Sequence, residues 1–374
     1  MLTETARVTR WIRARRATPL CLAAVALTVL AGCASTMYLL QAADGEWHVM
    51  HGRKPIVQVI DNPTTPEPLV RELGEVREAR KFASEQLGLP DNNSYRTYTV
   101  IHRPYVVWNV VAAPALSVVP EHWCFPVVGC VAYRGYFHES SARAFAAALE
   151  RQGYDVVVEG VPAYSTLGKL PDPVMSTMMR YGSDELAAMI FHELAHQLLY
   201  VPDDSRFDEA FAVTVESTGL ERWLEHRGEA NRIAAYQQEQ VEDRQFVRLL
   251  RRTRDRLAEL YASPIPRERK LEQKRKVFST LAADIRALER RLQVRSPLYD
   301  RWIKEGLNNA DLASVGTYYD CVPGFERLLD GVGGNLPRFY AAARRLAREP
   351  RSLRDAQLCG GSAPAARAYP VVLR

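Results

Sequence analysis

The chain has 374 residues, a length that is ample for a hydrophobic core and fits one large domain or two ordinary ones. Its formal net charge of +5 comes mostly from the first 32 residues, which hold five arginines and one glutamate, so the remainder carries only about +1. So small a net charge provides no field that would hold phosphates, and we exclude nucleic acid as a partner.

The first 32 residues have the pattern of an export signal. Their five arginines precede an apolar run, residues 20–30, that is shorter than a membrane-spanning helix. The sequence Leu30-Ala31-Gly32-Cys33 resembles a lipobox, which is cleaved before a cysteine that then receives a diacylglyceryl group. The resemblance implies a lipid anchor on Cys33. Because no aspartate follows, it also implies the periplasmic face of the outer membrane of a Gram-negative bacterium. An uncleaved transmembrane anchor is the alternative.

Helical and strand patterns follow one another through the next part of the chain. Residues 39–87 have a mostly helical pattern that Gly88 and Pro90 end. A further helix is predicted over residues 140–152. Pro162 comes soon after the last predicted strand and fits the edge of a sheet but not its centre. The predicted strands cover residues 98–101, 105–110, 127–133 and 154–159.

The stretch from residue 183 to residue 223 contains the residues with the clearest chemistry. His192 and His196 are four residues apart, so on a helix both imidazoles lie on one face, and Glu193 lies beside it. Ser183 is a candidate cap for this helix, and its apolar surroundings predict burial, which is costly for unpaired polar groups. This is the H-E-x-x-H arrangement, in which two histidines bind zinc and the glutamate is the general base of a metallopeptidase. A chance polar patch is the alternative.

The third ligand is predicted on the following helix. Residues 201–204 are prone to turn, and Ser205-Arg206-Phe207-Asp208 resembles a capping box that begins a second helix. A short connection folds the two helices together and brings Glu209 towards the imidazoles. Glu216 lies on the same face seven residues later. We therefore predict Glu209 as the ligand and Glu216 as a supporting group or an alternative ligand.

These motifs resemble known families. H-E-L-A-H followed by Asp208-Glu209-Ala210-Phe211-Ala212 resembles the gluzincin clan of zinc peptidases, whose third ligand is a glutamate on the next helix. Residues 123–126, 164–168 and 317–320 resemble segments of a bacterial lipoprotein family named as predicted aminopeptidases, over nearly the whole mature chain. That family usually has Asn-Glu where this chain has Asp208-Glu209, a difference that leaves the ligand in place.

The resemblance implies an α+β fold with a zincin-like metallopeptidase core, made of a small mixed sheet and the active-site helices, and a mostly helical C-terminal half. In zincin folds the edge strand before the active-site helix borders the cleft, and an extended substrate adds to it. An ordinary edge strand with no such role is the alternative here. The predicted divisions are a signal over 1–32, a catalytic core over 33–227, a helical hairpin over 228–296, a helical segment that completes the cleft over 297–350 and a loose tail over 351–374.

The hairpin is predicted from two apolar stripes with spacings of three and four residues, joined by the turn at residues 263–266. Arginine and lysine crowd its outward faces. We expect a solvated hairpin beside the catalytic core, and a membrane- or partner-binding arm is the alternative. The stripes consist of Phe246, Leu250, Thr253, Leu257 and Leu260, and of Phe278, Leu281, Ile285, Leu288 and Leu292.

Four cysteines remain once the signal and Cys33 are set aside, an even number that fits an oxidising compartment. The simplest pairing joins Cys124 to Cys130 and Cys321 to Cys359. Four cysteines allow three connectivities, and the sequence does not choose among them.

The predicted chemistry is metal-assisted hydrolysis of a peptide substrate, with one zinc ion per chain on His192, His196 and Glu209. Three protein ligands leave a fourth position for water, whose proton Glu193 accepts. Gluzincins usually use a Tyr or His as the oxyanion donor, so Tyr318 and Tyr319 are candidates, and either is equally explained as a core aromatic.

Two other functions are compatible with the motif. A zinc endopeptidase of the envelope is one, and a non-catalytic scaffold stapled by zinc is the other, although such a scaffold has no need of Glu193. An aminopeptidase needs an anionic group to hold the free α-amino group of its substrate. Residues 160–168 contain no carboxylate, and the nearest in sequence are Asp172, Asp204 and Glu216.

Overall fold

The computed structural model describes residues 37–125 and 129–359. The predicted export signal, Cys33 and residues 360–374 lie outside this part. Helix α1 covers residues 37–51, and the compact unit that holds the other elements begins at Gly52. Within the described ranges, no helix combines the length and the apolar character needed to cross a membrane.

In the described part of the chain, the strands lie in the first half of the compact unit and form three small sheets. The strand at Lys54–Pro55 falls within the stretch predicted to be helical, and the strand at Val174–Met175 was not predicted. Two sheets have three strands each, in the orders β1-β2-β8 and β6-β3-β7, and β4 pairs with β5 as a hairpin. The elements of this half are β1 (Lys54–Pro55), α2 (Ile56–Ile60), α3 (Glu67–Glu85), β2 (Thr97–Thr99), β3 (Val107–Pro114), β4 (Trp123–Phe125), β5 (Gly129–Val131), β6 (Arg134–Tyr136), α4 (Glu139–Arg151), β7 (Tyr154–Val161) and β8 (Val174–Met175).

The sheet with the longest strands, β6-β3-β7, is antiparallel throughout. Its strand β7 lies at the edge, as Pro162 predicts, and pairs along its whole length with β3, where Glu159 lies opposite Asn109. Antiparallel sheets tolerate a polar residue wherever a neighbouring element partners it. After this edge strand, the chain continues towards the stretch that contains His192, Glu193 and His196.

The second half of the unit is helical, and together with the small sheets it gives the mixed α and β content of the predicted α+β class. A 3-10 turn at Met179–Tyr181 comes before the first of these helices. The helices are α5 (Ser183–Leu198), α6 (Ser205–Arg227), α7 (Ala230–Ala262), α8 (Arg267–Leu292), α9 (Pro297–Glu305), α10 (Asn309–Tyr319), α11 (Val322–Gly331), α12 (Leu336–Leu346) and α13 (Arg351–Leu358).

The predicted hairpin is confirmed as the pair α7 and α8, joined at residues 263–266. Most of the predicted stripe is buried, although Leu260, Phe278 and Leu292 are only half-buried. Several ion pairs attach the hairpin to the rest of the unit. Lys274 contacts Asp155 on β7 at 2.5 Å, and Arg254 contacts Asp320 at the end of α10 at 2.7 Å.

Three local expectations need correction. Ser183 does not cap α5 but is its first residue, and the N-cap position is Gly182. Helix α6 is capped by the side chain of Asp204, one residue before the predicted capping box. Residues 351–358 were expected to be a loose tail but form α13, because Arg354 and Leu358 are buried against the rest of the unit.

The structure chooses one of the three cysteine connectivities. Cys124 is bonded to Cys130, and Cys321 is bonded to Cys359. The simplest pairing is therefore confirmed. The first bond closes the β4-β5 hairpin, and the second ties the end of α13 to the beginning of α11.

Candidate metal centre

Helices α5 and α6 lie against each other over most of their length and carry the predicted metal ligands. Helix α5 is apolar around most of its circumference, so it is buried as its sequence predicts. Gly219 permits the close approach of α6, because a Cβ atom there would lie 2.8 Å from Leu87 Cδ1 and 3.0 Å from the ring of Phe191. A larger residue at this position would push the two helices apart.

The structure brings His192, His196 and Glu209 together. The Nε2 atoms of the two histidines are 3.1 Å apart, and Oε2 of Glu209 lies 3.4 Å from Nε2 of His192 and 3.6 Å from Nε2 of His196. All three residues are buried. A tetrahedral zinc ion with bonds of about 2.0–2.2 Å separates its ligand atoms by roughly 3.3–3.5 Å. The three atoms are therefore spaced as the ligands of one such ion.

The hydrogen bonding of this group also fits a metal. Oε2 of Glu209 is buried and accepts no hydrogen bond from any group in the described part of the chain. A buried carboxylate oxygen without a partner is costly, and a cation between it and the imidazoles removes that cost. Two nitrogens and one oxygen form a donor set that suits zinc better than calcium or magnesium, which prefer oxygen ligands.

The charges of the site favour an ionised Glu209. Burial opposes its charge, but the nearby imidazoles of His196 and His192 lower the pKa of Glu209 to about 2. Burial alone would lower the pKa of His192, whereas its contacts with Glu209 and Glu216 raise that pKa well above the usual value. Without a metal, the carboxylates thus attract a proton to the place where a cation would bind.

Glu216 contacts the other side of His192. Its Oε2 lies 2.9 Å from Nδ1 of His192, whereas Nε2 of the same ring faces Glu209. Of the two roles considered for Glu216, this geometry fits the supporting group. A carboxylate on Nδ1 fixes the orientation of a metal-binding imidazole and increases its basicity.

Glu193 lies beside the ligands without being one of them. As a residue it is half-buried, whereas the candidate metal ligands beside it in sequence and space are buried. Burial raises its pKa, with a further contribution from the charges of Glu209 and Asp172, while His192 and His196 oppose the shift. A carboxylate of raised basicity at this position is suited to accept a proton.

The structure separates the two candidate tyrosines. Tyr318 is half-buried, and its pKa is raised well above the usual value by burial and by the charges of Glu209, Glu159 and Glu193. Its hydroxyl therefore lies within electrostatic reach of the metal ligands. Tyr319 is only 1% exposed and belongs to the core. Of the pair, only Tyr318 has the surroundings of an oxyanion donor.

Asp208 is the residue at which the chain differs from the family that it resembles. Its Oδ1 accepts a hydrogen bond of 2.7 Å from the backbone N–H of Val201, and its side chain is buried. Burial raises its pKa well above the usual range, and the nearby Glu209 and Asp204 add to the effect. The side-chain oxygen of an asparagine can accept the same hydrogen bond, so the substitution preserves the contact with the connection between α5 and α6.

Each of the three carboxylates considered for holding the substrate's amino group already has other partners. Asp172 accepts hydrogen bonds from Ser165, the backbone N–H of Thr166 and Gln197. Asp204 caps α6 and pairs with Arg354. Glu216 is in contact with Nδ1 of His192, as described above.

Glu159 was not predicted as a site residue, and it lies one residue before the stretch 160–168 that contains no carboxylate. It is on β7, its side chain accepts a hydrogen bond from Ser314 on α10, and its charge acts on Tyr318, one helical turn beyond Ser314. Burial raises the pKa of Glu159 to about 7, against the opposing effects of Arg301 and Ser314. A charged residue directly after three consecutive valines of this strand was the available signal.

One of three comparisons with known proteins finds a match. No curated protein and no solved structure matches the chain significantly. A family model described as Putative aminopeptidase matches residues 37–358, which include every residue of the candidate site. The match extends over most of the chain, and the protein belongs to the Putative aminopeptidase family.

Proposed function

We propose that this protein is a zinc-dependent aminopeptidase of the bacterial cell envelope, with one zinc ion per chain held by His192, His196 and Glu209. The observation that carries the proposal is the convergence of three buried ligand atoms at separations of 3.1, 3.4 and 3.6 Å, beside a half-buried carboxyl group that is not a ligand. Membership of the family supports peptide hydrolysis as the reaction.

The chain's own residues have distinct parts in this reaction. His192, His196 and Glu209 would hold a zinc ion, which would supply the Lewis acidity that polarises a scissile carbonyl and lowers the pKa of water. Glu193 accepts the proton of the attacking water and passes it to the leaving amine. Glu216 holds the ring of His192 in a fixed orientation through Nδ1. The Tyr318 hydroxyl donates a hydrogen bond to the oxygen on which negative charge develops.

Selection of a free amino terminus requires a carboxylate in the cleft, and we assign this part to Glu159. Its neighbour Ser314 lies one helical turn from Tyr318 on α10, and the charge of Glu159 acts on Tyr318, which supports a position of the carboxylate near the Tyr318 hydroxyl. A carboxyl group with a pKa of about 7 loses its proton readily when an ammonium group binds beside it. Edge strand β7 would then align the first residue of the substrate.

The envelope location rests on the export signal and on lipid attachment at Cys33, both predicted from the sequence. Replacement of Cys33 by alanine is expected to abolish lipid attachment. Membrane fractionation of cells that express the two forms tests this, because a lipid-anchored protein sediments with the membranes. Equal amounts of both forms in the membrane fraction would contradict the anchor.

The test of the function has two measurements on the purified protein. Elemental analysis is expected to find about one zinc per chain, and none in His196→Ala, which lacks a ligand. Hydrolysis is then compared between a peptide with a free amino terminus and the same peptide acetylated. Cleavage of the free peptide alone supports an aminopeptidase. Equal cleavage of the acetylated peptide at an internal bond would replace this assignment with an endopeptidase.

A further inference from the structure

Two segments contact the connection between α5 and α6, residues 199–204, and each of them contains or adjoins a cysteine of a disulfide bond. One is helix α13 and the other is the β4-β5 hairpin. It joins the helix with His192 and His196 to the helix with Glu209. Its conformation therefore determines where the carboxylate of Glu209 lies relative to the two imidazoles. Groups that hold this connection act on the metal centre without touching it.

The stronger contact comes from the C-terminal helix α13. The guanidinium of Arg354 donates to Oδ2 of Asp204 through Nη2 at 2.6 Å and Nε at 2.9 Å. Asp204 is 2% exposed and Arg354 is 8% exposed, so this ion pair is buried. Removing one partner of a buried ion pair leaves an uncompensated charge and is strongly destabilising.

The same carboxylate begins the ligand helix. Oδ1 of Asp204 accepts a hydrogen bond of 3.3 Å from the backbone N–H of Phe207, which makes Asp204 the N-cap of α6. The guanidinium of Arg354 also lies 5.7 Å from the centre of the Phe207 ring. Glu209 follows only two residues after Phe207. Arg354 thus contacts both the cap and the first turn of the helix that carries the third ligand.

Helix α13 is itself held by a covalent bond. Cys359 follows its last residue and is bonded to Cys321 at the start of α11. The two helices touch closely, because a Cβ atom at Gly324 would lie 2.2 Å from the carbonyl oxygen of Leu358. A second arginine of α13, Arg351, donates to the backbone carbonyl of Asp203 at 3.1 Å.

The opposite side of the connection meets the hairpin that the first disulfide closes. The backbone N–H of Cys130 donates to Oδ1 of Asp203 at 2.6 Å, and Gly129 leaves room for that carboxylate. Asp203 has a φ of +70°, a conformation that non-glycine residues adopt mainly where surrounding contacts hold them. Both disulfides therefore support one short connection.

We propose that Arg354 is a positioning residue for the metal centre: through Asp204, the disulfide-anchored helix α13 fixes the first turn of α6 and thereby the place of Glu209. The inference rests on the proposed function only in taking His192, His196 and Glu209 as metal ligands. All three ligands remain in the chain when Arg354 is replaced, so the expected effect is weaker metal binding and not the loss of the site.

The test measures zinc affinity of the purified full chain by competition with a chromophoric chelator. Arg354→Gln is expected to weaken zinc binding about 10- to 100-fold, the range found when groups that orient metal ligands are removed. Arg354→Lys keeps the charge but not the two-pronged contact and should lose less. Arg348→Gln is the matched control, because Arg348 is an exposed arginine close to α13. It should bind zinc as the unchanged protein does.

A double-mutant cycle decides whether the effect passes through Asp204. Asp204→Asn keeps an N-cap acceptor and removes the charge that Arg354 meets. If the inference is correct, the double variant binds zinc no more weakly than the weaker of the two single variants. Replacement of both Cys321 and Cys359 by alanine should weaken binding in the same direction. Independent, multiplicative losses in the cycle would overturn the inference.

Thermal unfolding of the metal-free proteins separates positioning from general stability. A lower Tm with unchanged zinc affinity in both Arg354 variants would overturn the inference, because a purely structural contact has that signature. The outcome is also distinct from a failure of the proposed function. If the unchanged protein binds zinc but cleaves no peptide, the function is wrong, whereas equal zinc affinity in Arg354→Gln and the unchanged protein refutes only the positioning role.

Discussion

Helices α5 and α6, which carry the candidate metal site, and the hairpin α7 and α8 are both helical pairs, but their charged residues have different surroundings. Helix α6 buries residues on nearly every face, including Asp208, Glu209 and Glu216. The hairpin buries a narrow apolar stripe, and most of its arginines and lysines reach solvent. Burial of charge is costly, so carboxylates are retained in α6 only where specific partners meet them. The two helical pairs therefore differ in how many acidic groups they bury, and not simply in helix length or total charge. The candidate site lies in the pair that buries more of them.

The largest effect is expected from the general base. Glu193→Gln should lower kcat by about 10²- to 10⁴-fold, because the amide cannot accept the proton of the attacking water. Zinc content should stay unchanged, since Glu193 is not a ligand. Paired measurement of peptide turnover and bound zinc checks both statements. Retained turnover in this variant would remove the mechanism and with it the contrast between the two helical pairs.

A smaller loss of rate is expected at the oxyanion donor. Tyr318→Phe removes one hydrogen-bond donor and should lower kcat by about 10²-fold with little change in KM. Tyr319→Phe is the matched control, because Tyr319 is in the core, and its main effect should be on stability. Steady-state kinetics of the two variants would contradict the assignment if Tyr319→Phe were the slower enzyme.

The hairpin should respond in the opposite way. Leu250→Ala truncates a fully buried side chain and should reduce the free energy of unfolding by about 2–5 kcal/mol. Zinc affinity and kcat at a permissive temperature should remain as before, because α7 supplies no ligand. Denaturant unfolding, followed by the zinc and activity assays, measures this. Loss of zinc from the folded variant would show that the two regions are energetically coupled.

The smallest effects are expected from replacement of Glu159, which should weaken substrate binding but increase stability. Glu159→Gln should raise KM for a peptide with a free amino terminus about tenfold, because the charge that meets the ammonium group is lost. An acetylated peptide is the control and should be unaffected. Equal changes in KM for both peptides would rule out an amino-group anchor.

The same substitution should change stability with pH. The pKa of Glu159 is about 7 in the folded protein and near 4.5 in the unfolded chain. The folded state therefore binds the extra proton between these values, and the penalty for ionising the buried group grows from pH 4.5 to pH 7. Glu159→Gln should thus raise the Tm of the metal-free protein by about 2 °C at pH 8 and have little effect at pH 4.5. Melting curves at the two pH values would contradict this if the gain were larger in acid.

The contrast between the helical pairs was partly foreseeable from sequence. Spacing of four residues between His192 and His196 is sufficient to place both on one helix face, because helix geometry is local. The apolar stripes likewise predicted the hairpin, although Leu260 and Phe278 proved only half-buried. Helix ends were less accurate, since Asp204 and not Ser205 caps α6. The capping carboxylate also accepts hydrogen bonds from Arg354, a residue 150 positions later that no local pattern connects with it.

The sequence predicted the three candidate metal-binding residues, the candidate general base and the hairpin, because each depends on spacing along one or two helices. The choice among the three cysteine connectivities came from the structure. The structure was needed to show that Tyr318 is half-buried and Tyr319 is in the core. It was also needed to show the partners of Asp172, Asp204 and Glu216, and that the charge of Glu159 acts on Tyr318. Neighbouring tyrosines on one helix have the same local pattern, and which of them faces the cleft is decided by the elements that pack around α10. The contacts of Asp204 with Arg354 and of Glu159 with Ser314 join residues more than a hundred positions apart, and no local periodicity records them.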